Sequence, residues 1–189
     1  MKKEYFTVPN IMGYFRILMI PVFLILYLNA KTTSGYVAAY TVLIVSLITD
    51  FFDGKIARKF NMVTDFGKAL DPVADKLTLG TLTIAVISNY PFMTVFFVLF
   101  LIKELYMLSM GLYLTKKKKI YYSAKWYGKI CTAATDICMV VLLVFNNLPQ
   151  ETANIIIACL MVLMIFTLIM YIIYHQKLLK NCNAELNKS

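Results

Sequence analysis

Five of the ten acidic residues in the chain fall within the 26 positions from 50 to 75: Asp50, Asp53, Asp65, Asp71 and Asp75. Strongly apolar stretches flank them, and a carboxylate in or beside a membrane-spanning helix is costly unless its charge is offset. Asp50 and Asp53 are three apart, so on a helix they share a face, which Gly54 and Ala57 continue. Gly67, Asp71 and Asp75 follow one another at intervals of four and share a face of the next helix. The connection 59–66 is short, which predicts antiparallel neighbours whose acidic faces point at each other. Four carboxylates on one spot cannot all stay ionised without cations, and oxygen-only ligands suit hard divalent ions, Mg²⁺ or Mn²⁺ before Zn²⁺. Two such ions bridged by shared carboxylates serve phosphoryl displacement. Gly54, Ala57 and Gly67 leave room for a bulky ligand against the backbone. Arg58, one turn beyond Asp53 and Gly54, is a candidate to neutralise a phosphate.

A purely structural account competes, since acids near helix ends often pair with lysines and Lys55, Lys68 and Lys76 are available. Asp65 fits that account: it sits in the connection and is expected to cap the third helix. For the other four, a common face on each of two adjacent helices favours a site.

The elements that must carry these residues are set by composition. Hydrophobic residues make up 60% of the 189 and charged residues 15%, against about 45–50% apolar in soluble domains, and mean hydropathy is +0.71. This excludes a disordered chain and a disulfide-stapled module. It also argues against a nucleic-acid partner despite a net charge of +9, because in so apolar a chain positive charge marks cytoplasmic loops. A polytopic, all-α membrane protein remains.

A spanning helix needs about 20 mostly apolar residues. The segments Ile11–Ala30, Tyr36–Phe52 (continuing as helix to Lys59), Phe66–Ser88, Pro91–Thr115, Lys125–Asn146 and Thr152–Tyr174 meet this, with a break at Asn89-Tyr90-Pro91. With both termini cytoplasmic, 16 of the 19 basic residues fall on the inside, as six spans require and five would scramble. Only Lys31 lies outside, with Arg16 and Lys103 inside helices. Arg16 interrupts what would be the apolar core of a cleavable signal peptide, so the first segment reads as a span. Lys116–Lys119 form a solvated cytoplasmic loop able to attract anionic lipid. Cys131, Cys138 and Cys159 lie in apolar runs and Cys182 in the polar tail, with no metal or disulfide spacing. Residues 1–189 read as a single domain.

Taken together, Asp50-x2-Asp53-Gly54-x2-Ala57-Arg58-x8-Gly67-x3-Asp71-x3-Asp75 resembles the CDP-alcohol phosphatidyltransferase signature at every defined position. Thr49–Gly54, Leu70–Lys76 and the opening Pro9-Asn10 with Arg16 and Pro21 resemble the bacterial phosphatidylglycerophosphate synthase branch. The resemblance implies transfer of a phosphatidyl group from CDP-diacylglycerol to an alcohol, with release of CMP. It further implies that Asp50, Asp53, Asp71 and Asp75 hold two divalent cations and that Asp75 is also the base toward the attacking alcohol. Gly54, Ala57 and Gly67 would form the nucleotide pocket, and Arg58 would contact the pyrophosphate. Six spans in a bacterial plasma membrane, an active site at the cytoplasmic face and a homodimer are implied likewise.

The acceptor is expected to be glycerol 3-phosphate, its phosphate held by Lys103 and Lys129. Lys103-Glu104 resembles an Arg-Glu pair of that branch, although lysine lacks the bidentate fork. Gly111 and Cys131 stand where further basic residues are expected, so Arg16, Lys125 and Lys129 would have to compensate, or the acceptor differs. A cardiolipin synthase using phosphatidylglycerol is the alternative within the family. A cation transporter is the alternative outside it, disfavoured because the acids cluster at one end rather than along a path. Asp136 shares a face with Lys129 and is expected to meet a polar group of another helix, with acceptor binding as a second possibility. His175 reads as an interfacial residue at the end of the last span, and Tyr121, Tyr122, Trp126 and Tyr127 as an aromatic belt.

Overall fold

The computed structural model describes residues 7–60, 62, 64–118, 125–145 and 147–186, and among them every regular element is a helix. These are α1 (Val8–Asn29), α2 (Thr33–Lys59), α3 (Asp65–Ile87), α4 (Met93–Lys118), α5 (Trp126–Val144) and α6 (Gln150–Leu186). Each predicted segment coincides with one helix. The largest departure is α6, which continues past Tyr174 to Leu186; the added residues contain neither proline nor glycine, so nothing stops the helix. At 37 residues it is about 55 Å long at 1.5 Å per residue, well beyond a bilayer core of about 30 Å.

Among the described residues, five of the six helices are long and apolar enough to cross a membrane; α3 is the exception. Asp65, Lys68, Asp71, Asp75 and Lys76 occupy its first half, leaving Leu77–Ile87 as the charge-free part. Side chains such as Leu18, Ile25, Leu105, Ile137, Ile155 and Val162 are more than half exposed. Apolar exposure on that scale marks a surface made for lipid rather than water.

The chain forms two compact units, residues 1–88 and 89–189. In the first, α1 packs against both α2 and α3, whereas α2 and α3 do not pack on each other among the described residues. At the far end of α1, Tyr27 meets Tyr36 edge-on at 5.4 Å and Tyr40 at 6.2 Å, so α2 begins where α1 ends and runs back along it. Thr32 caps α2 by accepting from the Gly35 N–H.

In the second unit α6 packs on both α4 and α5. Its buried residues, Ala153, Ile157, Leu160, Met164, Thr167, Tyr171 and His175, recur every three or four positions and form one stripe down the helix. Tyr90 fixes the turn between α5 and α6: its hydroxyl donates to the Phe145 carbonyl at 2.9 Å and accepts from the Leu148 N–H at 3.1 Å.

Candidate active site

The first unit gathers the carboxylates through a residue of α1. The Arg16 side chain is 3% exposed and reaches all four aspartates. Its Nη1 contacts Asp50 Oδ1 and donates to Asp75 Oδ1 at 2.8 Å. Its Nη2 lies 3.6 Å from Asp71 Oδ1 and 3.7 Å from Asp53 Oδ2. The expected convergence of the four acids is therefore present, whereas among the described residues α2 and α3 do not pack directly on each other. With like charges on both helices, a cation from a third one bridges them. Arg16, offered from the sequence as compensating charge for the acceptor, is engaged with these carboxylates instead. Lys55, one of the lysines available for pairing, lies instead over the Phe51 ring at 3.9 Å.

Beside this cluster, Pro9, Asn10, Asp53, Gly54, Ala57, Met62, Thr64, Gly67 and Asp71 line a half-open cleft. The cleft brings together the three small residues singled out from the sequence. Thr64 builds one wall by capping α3: its hydroxyl accepts from the Gly67 N–H at 3.0 Å and from the Asn10 amide at 3.1 Å. The cap expected of Asp65 is thus made by Thr64, and Asp65 opens the helix. Gly67 is required for close approach, since a Cβ there would stand 2.6 Å from Asn10 Oδ1. The side chains of Arg58, Asp65 and Lys68 lie outside the described part of the structure, as do those of Lys116–Lys119.

The donor set suits divalent cations. All four candidate ligands are carboxylates, and Asp53 Oδ2 is buried without a hydrogen-bond partner, a costly state for a charged oxygen that a cation would relieve. Asp50, Asp71 and Asp75 are 42%, 55% and 63% exposed in their side chains, leaving oxygens open to solvent. As the side chains stand, no three of the described acidic, histidine or cysteine residues form a ready metal cage; Arg16 lies among them.

The second unit holds the residues expected to bind the acceptor. Lys103 is 8% exposed, on the α4 face that also buries Met93, Phe96 and Phe100, and donates to Glu104 at 2.7 Å. Lys129 is exposed in the first turns of α5, as is Asp136 further along. Tyr171 of α6 lies against that start: its hydroxyl accepts from the Lys125 N–H at 3.3 Å and occupies the space where a Gly128 side chain would be.

His175 is fully buried within the protein, with Nδ1 3.2 Å from the Tyr106 hydroxyl. Tyr127 is buried edge-on to Tyr171 at 4.8 Å, so of the expected aromatic belt only Trp126 is exposed among the described residues; Tyr121 and Tyr122 lie outside them. Cys131, Cys138 and Cys159 are free thiols.

Sequence reasoning missed Thr64 and gave Asn10 and Arg16 no place in the carboxylate site. For Arg16 the signal was available: a lone charge in an apolar span asks for a buried partner.

A family model described as CDP-alcohol phosphatidyltransferase matches residues 6–175. Over 153 residues the chain is 30% identical to the CDP-diacylglycerol–glycerol-3-phosphate 3-phosphatidyltransferase of Escherichia coli K12, covering 79% of this chain and 84% of that protein. Proteins of the same name from Rickettsia typhi and Rickettsia prowazekii are 43% identical over 83 residues. That stretch is 44% of this chain and about half the length of the two relatives, 46% and 45%.

Proposed function

The chain belongs to the CDP-alcohol phosphatidyltransferase family, and from that footing we propose that it transfers the phosphatidyl group of CDP-diacylglycerol to glycerol 3-phosphate, releasing CMP. The observation that carries this reading is the meeting of Asp50, Asp53, Asp71 and Asp75 beside a cleft lined by Gly54, Ala57 and Gly67. One set supplies anionic ligands and the other a space for the cytidine nucleotide. Membership of the family removes the cation transporter, and the relatives' names do not favour phosphatidylglycerol as acceptor.

Two divalent cations, Mg²⁺ or Mn²⁺, would be held by the four aspartates and would offset charge building on the pyrophosphate. The protein's own groups then do the rest. Gly54, Ala57 and Gly67 seat the nucleotide against the backbone, while Arg58 neutralises a phosphate. Asp75, the most open of the four carboxylates, takes the proton of the acceptor hydroxyl. That oxygen attacks the phosphorus bearing the diacylglycerol, and the bond to CMP breaks on the opposite side. Lys129, exposed on α5, and Lys103 hold the acceptor phosphate.

The apolar exterior keeps the acyl chains of the donor in lipid while the nucleotide arrives from water. Six spans, cytoplasmic termini and an acid cluster at the cytoplasmic face of a bacterial plasma membrane complete the reading; the charge asymmetry of the sequence supports them. The homodimer rests on the family resemblance.

The test is CMP release by purified protein in detergent with CDP-diacylglycerol and Mg²⁺ or Mn²⁺. Glycerol 3-phosphate, phosphatidylglycerol, inositol phosphate and serine are offered in parallel. Release with glycerol 3-phosphate is the expected result; release with phosphatidylglycerol alone would replace it with the cardiolipin reaction.

A further inference from the structure

We infer that Arg16 is a resident counter-cation that holds the four carboxylates together before metal binds and must withdraw from them for metal to enter. The inference rests on the metal-dependent reading above and extends it to how the site is assembled.

Three observations carry it. First, Arg16 is the shared ion-pair partner of Asp50, Asp53, Asp71 and Asp75, and it comes from the helix that packs on both of those that carry them. Without it, the carboxylates of α2 and α3 would lose their shared counter-charge. Secondly, the guanidinium is poorly satisfied for a permanent structural group. Its Nε and Nη2 are buried without hydrogen bonds, as is Asp53 Oδ2. A buried arginine kept for stability normally has its donors met, because each orphan costs free energy. Thirdly, two divalent ions would neutralise four carboxylates without Arg16. The half-open Asp50, Asp71 and Asp75 offer hydrated ions a way in.

Arg16 is thus a positioning residue. It preserves the register of α2 and α3 in the metal-free protein, at the expense of metal affinity. The contribution differs between the two states, which a merely structural ion pair would not produce.

The experiment compares full-length wild type and Arg16→Gln in detergent. Thermal unfolding is followed in chelator and at saturating Mn²⁺, and Mn²⁺ affinity is measured by the EPR signal of the free ion. In chelator the variant should melt lower by about 2–4 °C or more. With Mn²⁺ the difference should shrink, and the variant should bind the ion about tenfold more tightly or better. Equal affinity in the two proteins, or equal destabilisation with and without Mn²⁺, would overturn the exchange while leaving metal binding intact. Loss of Mn²⁺ binding in the variant alone would overturn the exchange, and failure of both proteins to bind would overturn the metal-dependent reading with it.

A second measurement uses the wild type alone, so folding of the variant is not at issue. The chain has two arginines, Arg16 and Arg58, so ¹⁵N-arginine labelling gives two Nε–H signals, assigned with Arg58→Lys. Saturating Mg²⁺ should shift the Arg16 signal and speed its exchange with water. An unmoved Arg16 signal in protein that Mg²⁺ stabilises thermally would overturn the inference.

Discussion

Asn10 of α1 and Thr64 before α3, 54 positions apart, exchange two hydrogen bonds: the amide donates to the hydroxyl at 3.1 Å, and the hydroxyl lies 3.3 Å from the amide oxygen. The same hydroxyl caps α3 through the Gly67 N–H. One small polar knot therefore fixes the start of the helix that carries Asp71 and Asp75, and it forms a wall of the proposed nucleotide cleft.

Gly67→Ala should break this knot. The new Cβ would stand 2.6 Å from Asn10 Oδ1 and 3.1 Å from Thr64 Oγ1, and overpacking of this kind costs about 1–3 kcal/mol. Thermal unfolding in detergent should show the loss, and the KM for CDP-diacylglycerol should rise. Adding Asn10→Ala should recover part of the stability but not the KM.

Asp71→Asn removes one charge from the proposed metal ligands without changing shape. CMP release should fall more than about a hundredfold, as when a group acting on transition-state charge is lost, while the protein still inserts and purifies normally. Undiminished turnover would remove Asp71 from the metal site.

Gly128→Ala tests the second unit. The Tyr171 hydroxyl fills the space a Cβ would need and accepts from the Lys125 N–H. The substitution should destabilise the protein by about 1–3 kcal/mol. Tyr171→Phe in the same chain should return some of it, a coupling that a double-mutant cycle measures directly.

Removal of divalent metal by chelation should abolish CMP release, and Mg²⁺ or Mn²⁺ should restore it. Metal at about a hundred times its Kd should also stabilise the folded protein by about 2.7 kcal/mol, visible in the melting temperature without substrate.

Lys129→Ala should leave stability within about 0.5 kcal/mol, as expected for an exposed side chain. Its KM for glycerol 3-phosphate should rise about ten- to a hundredfold, the weight of one charge-assisted hydrogen bond, with the KM for CDP-diacylglycerol unchanged. Equal loss for both substrates would move Lys129 out of the acceptor site.

Much of this was determined by the sequence alone. Long apolar runs dictate helices, because a backbone in lipid must satisfy its polar groups internally, and all six segments were legible for that reason. The periodicity of three and four places Asp50 with Asp53, and Asp71 with Asp75, whatever the surroundings. Packing between distant segments was not legible, because no local pattern encodes it. Only the tertiary structure brought Arg16 among the aspartates, gave the cap of α3 to Thr64 rather than Asp65, and buried His175 against Tyr106. Helical periodicity assigns a residue to a face; which element that face meets depends on how neighbouring helices balance charge and fill space.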